Sequence, residues 1–316
     1  MFDHRPQNQM TNRPHDGKES NTLVGCRWDN TNWSCAYDAV LVPLFHVLRD
    51  TGIAAQASFA STSAQFRLLT RLYMQLSEPI SQPALEKVWR DGIRQHLHST
   101  APKTFPKGRR LVSVDDVVSQ ITDNARPTCR TNTTCVTCAH TTSHLRLFTL
   151  PFVIDSTLLQ TWRILSGKPE IPGGIQPFCE WLQASSIYGI NSRNSQSSEQ
   201  CCTVCGSAGP IEITLTAIDA VPLLYFDVAG FAVQPSIEIE LPSNRSQGRD
   251  RYRLFACVYF GDAHFSARYI DADEQLWEYD GQRHNGALVR QPQGSSADLR
   301  MLSGRSLSGL GCVLKQ

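Results

Sequence analysis

The 316-residue chain has almost no excess of charge of either sign. Thirty Lys and Arg stand against 29 Asp and Glu, a net charge of +1. Such balance gives no bulk attraction to nucleic acid or to an anionic membrane, and neither is expected as a partner. No run of 18 apolar residues occurs, so no transmembrane helix is expected. Residues 1–22 contain no apolar core of the kind a secretory signal needs and read as a flexible leader. Without secretion, the 11 cysteines do not read as a disulfide framework. They fit a reducing, intracellular setting, cytoplasm or nucleus, where clustered cysteines bind metal and lone ones are core or catalytic. The Asn-x-Ser/Thr triplets at Asn32, Asn132 and Asn244 are then chance matches. Strands do not alternate with helices, which argues against a βαβ architecture.

Helical patterns fill the first 125 residues. Val40, Leu41, Leu44, Phe45 and Leu48 recur at helical spacing after Cys35, with Pro43 expected to bend that helix. Thr51 to Ala64 reads as a connection. Apolar faces follow over Phe66 to Leu76 and over Pro83 to His98, the latter through Leu85, Val88, Trp89, Ile93 and Leu97. Ser113 caps a further helix through Ile121. From Thr128 to Gly209 the chain turns rich in Thr, Ser, Cys and Gly, with a strand-like piece from His144 to Ile154. A helical piece is expected over Ser156 to Leu165, a short apolar segment over Trp181 to Tyr188, and a polar loop over Asn191 to Gln200. Strands then dominate: Ile211 to Leu215, Leu223 to Val228, Ile237 to Leu241, Arg253 to Phe260, His264 to Ile270 and Leu276 to Tyr279. Gly311 to Leu314 is a candidate last strand. The fold class is α+β.

Two C-x-x-C pairs, Cys135/Cys138 and Cys202/Cys205, can give four thiolates to one structural Zn²⁺. A two-residue spacing lets each tight turn aim both sulfurs at one point. Cys201, Cys129 and His140 lie close enough in sequence to be alternative ligands. A four-thiolate site is coordinatively full, so such a zinc braces the fold and does no chemistry.

Cys35 sits at the start of a helix, where backbone N–H groups favour a thiolate; a buried apolar cysteine is the plain alternative. A nucleophile needs a distant histidine. His264 opens a strand, Asp271 to Glu274 supply turn chemistry, and the next strand runs into Asp280. A hairpin whose paired residue numbers sum to about 544 sets Phe265 opposite Tyr279 and His264 level with Asp280. An acid there would orient the imidazole for a Cys–His pair.

These residues resemble the ubiquitin-specific proteases, papain-like cysteine peptidases that cleave isopeptide or peptide bonds after the C-terminal glycine of ubiquitin. Asn30-Thr31-Asn32-Trp33-Ser34-Cys35-Ala36-Tyr37 resembles the family's cysteine box and is similar to boxes in peptidase domains of fungal mobile elements. Asp262-Ala263-His264-Phe265 resembles the histidine box, and Trp277-Glu278-Tyr279-Asp280 the stretch carrying the third catalytic residue. The order Cys, zinc pair, zinc pair, His, Asp separates this pattern from SUMO-type proteases, whose histidine precedes the cysteine. The resemblance implies a single peptidase domain over 23–316, with a helical thumb (23–127), zinc-braced fingers (128–210) and an antiparallel palm (211–316). It implies Cys35 as nucleophile, His264 as base and acid, Asp280 as orienter and Asn30 as oxyanion donor. The implied partner is ubiquitin or a ubiquitin-like protein and its conjugates, met by a monomer. The sequence departs from the family in Asn32-Trp33-Ser34 before the cysteine, in Ala263 where a glycine is usual, and in a tryptophan-to-acid stretch one residue shorter. A catalytically silent, zinc-containing module that binds ubiquitin-like proteins is the alternative. A zinc-braced nucleic-acid-binding protein is disfavoured by the balanced charge.

Overall fold

The computed structural model describes residues 22–76, 78–122, 128–147, 150, 152–153, 202–206, 211–229, 235–244, 248–292 and 298–315. Most of the expected leader, the helical piece at 156–165, the apolar segment at 181–188, the loop at 191–200 and Cys201 lie outside the described residues.

Strand β1 (Thr22–Leu23) leads through the cysteine loop into α1 (Cys35–Thr62). The helix continues through the stretch read as a connection. Its break falls at Gly52, where φ is 73° and ψ is 174°, a backbone conformation that glycine alone adopts without strain. Helix α2 (Ala64–Met74) follows, capped by Ser63. A third helical stretch comprises α3 (Gln82–Ala84), a π-helical segment (Leu85–Arg90) and α4 (Asp91–Thr100). Pro83 lies in its first turn. Leu85, Trp89, Ile93 and Leu97 are buried as the spacing requires, but Val88 is only half-buried and Arg90 is buried in addition. The wider π turn supplies the reason, because it rotates the face by about one residue. Helix α5 (Val114–Ile121) starts at Ser113, whose side chain accepts from the Asp116 amide.

The remaining strands form two sheets. Strands β2 (Thr128–Cys135), β3 (Thr141–Leu147) and β5 (Ile211–Ile218) make a three-stranded antiparallel sheet in the order β3-β2-β5. The larger sheet adds β4 (Phe152–Val153), β6 (Leu223–Asp227), β7 (Glu238–Pro242), β8 (Arg249–Gly261), β9 (His264–Ile270), β10 (Leu276–Tyr279), β11 (Leu288–Arg290), β12 (Met301–Leu302) and β13 (Arg305–Leu314). Its order is β1-β11-β10-β9-β8-β13-β6-β4, with β7 beside β8 and β12 beside β13. All its strand pairs are antiparallel except β4 with β6. Helices first, then a small cysteine-bearing sheet, then a large antiparallel sheet make an α+β fold.

Strand β8 runs through the centre of the large sheet and is covered on both faces. Phe255, Ala256 and Val258 pack with α1 and the other helices, while Leu254, Cys257 and Tyr259 pack with residues such as Leu241, Leu307 and Leu310 on the far side. Phe255 and Ala256 share a side because Gly311 pairs with Ala256 and Cys312 with Leu254. Phe255 is therefore the extra residue of a β-bulge, which resets the alternation. On α1, Val40, Leu41, Leu44 and Phe45 are fully buried in the first cluster, each contributing about 1.5–3 kcal/mol of apolar burial. This packing fixes the N-terminus of α1 against the sheet.

Candidate active site and metal centre

Cys35 is the first residue of α1 and is 6% exposed. The loop before it is tied down by its own side chains. The Asp29 amide donates to Ser34 Oγ (2.9 Å), and Ser34 Oγ donates to Asp38 Oδ2 (2.5 Å) one turn inside the helix. Asp38 is buried, and Arg90 Nη1 stands 3.8 Å from its other oxygen. Burial raises the Asp38 pKa to about 7, against the opposing pull of Arg90 and Ser34. From α4, Arg94 donates to Asp29 Oδ2 (3.2 Å) and to the Asn32 carbonyl (3.1 Å), and its guanidinium lies 5.0 Å from the Tyr37 ring centre. Asn32 Oδ1 accepts from the Gly108 amide. Trp33 is held at φ 44°. Five hydrogen bonds thus hold a short polar loop whose last side chain is the Cys35 thiol.

His264 arrives on the β8–β9 hairpin. Gly261 pairs with His264, and the two residues between them, Asp262 (φ 53°) and Ala263 (φ 54°), both have positive φ. That is the signature of a two-residue type I′ turn. Asp tolerates this conformation, whereas Ala carries a Cβ penalty of about 1–2 kcal/mol. Ala263→Gly is therefore expected to raise the melting temperature by about 2–4 °C with the histidine still in place. An unchanged or lower melting point in a thermal scan would count against this turn geometry.

Asp280 follows β10. The β9–β10 pairing sets Trp277 opposite Tyr269 and Tyr279 opposite Ala267, so residue numbers sum to 546, not 544. The expected register was thus wrong by two. The turn absorbs the difference: Asp271 Oδ1 accepts from the Asp273 and Gln275 amides, and its Oδ2 from Trp277 Nε1. A slip of two residues keeps every side chain on its face, where a slip of one would have reversed them all. His264 Nε2 donates to Asp280 Oδ1 at 2.9 Å, reaching diagonally across the hairpin. The Trp28 ring meets the His264 ring edge-on with centroids 6.3 Å apart.

The structure brings Cys35, His264 and Asp280 together. Burial disfavours charge on His264, but hydrogen bonds with Asp280 and Cys35, reinforced by their negative charge, raise its pKa to about 9. Burial also works against the Asp280 anion. Its bonds to His264, Arg305 and the Gln282 amide nevertheless hold its pKa well below the usual carboxylate range. The signs follow from linkage. Stabilisation by protonated His264 is complete below its ordinary pKa of 6.5 and is lost as pH rises through about 9. That from Asp280 is present above the ordinary carboxylate pKa of 3.8 and is lost on acidification. Asp280→Asn removes a negative neighbour and is expected to move the alkaline limb of any Cys35-dependent rate down by roughly 1–3 pH units. A pH–rate profile with an unmoved limb would contradict this coupling.

Asn30 stands apart from this group. It is exposed, its Oδ1 accepts from Thr31 Oγ1 at 3.4 Å, and its carbonyl accepts from Arg109 Nε. Among the described residues, no hydrogen bond joins its side chain to Cys35 or His264.

The second cluster is Cys135, Cys138, Cys202 and Cys205, whose sulfurs all lie within 4.8 Å of one another. The two knuckles share one backbone form. The Ala139 amide donates to the Cys135 carbonyl (2.8 Å) and the Gly206 amide to the Cys202 carbonyl (2.9 Å), with Ala139 and Gly206 at φ 57° and 67°. The Cys138 and Thr137 amides lower the Cys135 pKa to about 6, and the Cys205 and Val204 amides lower that of Cys202. A tetrahedral ion with Zn–S bonds of 2.3 Å requires sulfur pairs about 3.75 Å apart. Cys135 and Cys205 are 3.8 Å apart and Cys138 and Cys202 3.6 Å. The four residues fit zinc. His140 contributes main-chain groups: its carbonyl accepts from the Cys135 amide, and its amide bonds to Cys138, whose pKa burial and the neighbouring thiols nevertheless push up to about 12. Cys129 lies at the opposite end of β2 from Cys135.

Several residues that shape the site carry no local sequence signal. Arg94 lies on the polar face of α4, and Arg305 lies in a strand remote from both motifs. Asp38 does carry one, as an acid inside an otherwise buried apolar stretch from Ala36 to Val42.

No family model matches this chain, and no curated protein matches it. Among solved structures, it is similar to the SAGA DUB module of Ubp8, Sgf11, Sus1 and Sgf73 bound to monoubiquitin, at 10% identity over 93% of this chain and 69% of that chain, with a TM-score of 0.48. It is similar also to the yeast SAGA DUB module carrying an Sgf73 variant, at 12% identity, 93% and 69% coverage and a TM-score of 0.48. A further Ubp8 module lacking the Sgf11 zinc finger matches at 11% identity over 99% of this chain and 71% of that one, with a TM-score of 0.44. The likeness is one of outline, extends over nearly the whole chain, and comes at low sequence identity.

Proposed function

We propose that this chain is a cysteine peptidase that hydrolyses the peptide or isopeptide bond after the C-terminal glycine of ubiquitin or a ubiquitin-like protein. The observation that carries the reading is the convergence of Cys35, His264 and Asp280, with His264 Nε2 committed to Asp280 at 2.9 Å. That bond leaves Nδ1 to serve the sulfur, so one ring nitrogen is oriented and the other is chemically available. Cys35 passes its proton to His264 and attacks the carbonyl carbon. His264 returns the proton to the departing amine, leaving a thioester. Water, deprotonated by His264, then releases the glycine carboxylate and regenerates the thiol. Asn30 is the proposed donor to the tetrahedral oxyanion once its exposed side chain turns toward bound substrate, a role for which apo geometry is often incomplete.

The substrate class rests on the resemblance of the cysteine and histidine boxes to the ubiquitin-specific proteases. A zinc ion held by Cys135, Cys138, Cys202 and Cys205 would brace the fingers and take no part in the reaction. In this reading the protein acts as a monomer in a reducing intracellular compartment, where its cysteines form no disulfides.

One observation favours a second reading. Cys35 is only 6% exposed, and Trp33 sits beside it in a left-handed conformation. A buried nucleophile suits a silent module that binds the modifier without cutting it. Hydrolysis of C-terminal fluorogenic derivatives of ubiquitin and of its relatives separates the two. Turnover of any of them supports the peptidase, and saturable binding of a modifier with no turnover supports the silent module.

A further inference from the structure

The Asp280 carboxylate has two oxygens and two different uses. Oδ1 accepts from His264 Nε2 (2.9 Å) and from the Gln282 amide (3.0 Å). Oδ2 accepts from Arg305 Nη1 at 2.9 Å. Arg305 is 8% exposed and Asp280 2%. Among the described residues, Arg283 also approaches Asp280, at 3.7 Å and with a side chain 51% exposed, too distant for a hydrogen bond.

Arg305 is placed with care. The β12–β13 hairpin pairs Leu302 with Arg305 around Ser303 (φ 50°) and Gly304 (φ 83°), a second two-residue turn with both central residues at positive φ. The arginine then packs on Gly261, the residue that closes the histidine hairpin. A Cβ at position 261 would lie 3.0 Å from Arg305 Cγ and 3.2 Å from its Cα. Only glycine there lets the two hairpins meet this closely. Yet the buried guanidinium is incompletely satisfied, since its Nε has no hydrogen-bond partner. A buried cation with an orphaned N–H is a poor device for stability alone.

We propose that Arg305 is a positioning residue of the site, acting on the chemistry through Asp280. The inference rests on the peptidase reading for what the chemistry is. By holding Oδ2, Arg305 stops the carboxylate from rotating and keeps Oδ1 aimed at His264. By keeping Asp280 ionised, it fixes which ring nitrogen carries the shared proton, leaving the other for Cys35. The functional unit is then four side chains on three structural pieces: the α1 N-terminus, the β8–β9 and β9–β10 hairpins with their shared strand, and the β12–β13 hairpin.

A double-mutant cycle tests this. Cys35 alkylation by iodoacetamide, mapped to the Cys35 peptide, needs no modifier substrate and is read across pH for wild type, Arg305→Met, Asp280→Asn and the double variant, with turnover measured in parallel. Arg305→Met is expected to lower kcat about tenfold at unchanged KM and to move the pH dependence of Cys35 alkylation. Arg305→Lys should restore most of both. The double variant should be no worse than Asp280→Asn alone, because the two changes remove one device. Full activity in Arg305→Met, or losses that multiply in the double variant, would overturn the proposal. A lowered melting temperature with an unmoved pH profile would mark Arg305 as structural and would overturn it equally. If Cys35 alkylation follows the same pH dependence in wild type and in His264→Ala, the peptidase reading fails, and that failure is seen before any Arg305 variant is compared.

Discussion

Cys35→Ala is expected to lose all but about one ten-thousandth or less of the wild-type hydrolysis rate, the scale on which loss of a nucleophile acts in a cooperating triad. The loss should fall in kcat, since Cys35 is buried at 6% exposure and adds little to substrate affinity. Folding should be nearly undisturbed. The cysteine loop is anchored by Ser34 with Asp29 and Asp38, and by Arg94 with Asp29 and the Asn32 carbonyl, all of which the substitution leaves in place. Far-UV circular dichroism and the melting temperature check that the loss is chemical. A Cys35→Ala variant that retains a tenth of the wild-type turnover would remove Cys35 from the reaction, whatever its position at the helix start.

The second large effect concerns the four cysteines. The native protein is expected to carry one zinc per chain, and Cys205→Ser or prolonged chelation to release it. Zinc binding to comparable peptide sites carries about 10–16 kcal/mol at neutral pH. A small sheet held by such a site cannot keep its form without it. The order β3-β2-β5 explains which amides report the loss. Cys135 ends β2, and Cys202 and Cys205 precede β5, so an ion held there would tie together the two strands that pair through Cys135 and Ile211. Hydrogen exchange should show β2 and β5 losing protection while β8 and β9, buried on both faces of the large sheet, keep theirs. Elemental analysis finding no zinc in protein purified without chelator, or unchanged protection after its removal, would contradict the metal centre.

Much of this architecture is legible in the sequence where a local pattern and a tertiary requirement coincide. His264–Ile270 and Leu276–Tyr279 form strands where they are expected, with the turn residues Asp271 to Glu274 between them. Ser113 and Pro83 mark helix starts through side-chain chemistry that acts within one turn. The failures are equally physical. The β9–β10 register differs by two from the expected one because Asp271 organises a longer turn through its own carboxylate, which residue types alone do not reveal. The connection expected after Thr51 is helix because tertiary packing of Phe59 outweighs a run of small residues. Val88 yields its buried place to Arg90 through a π turn that no periodicity rule anticipates. At the site, spacing brings His264 and Asp280 into one hairpin, but nothing local announces Arg94 or Arg305, whose relevance exists only once distant strands are paired.

The most direct test of the central claim is the reaction of wild-type protein with C-terminal electrophiles of ubiquitin and its relatives, with the adduct mapped by peptide mass spectrometry. A single adduct on Cys35, abolished in Cys35→Ala and slowed in His264→Ala, is the predicted result. An adduct on another cysteine, or no adduct with any modifier under conditions where the zinc centre is intact, would contradict it.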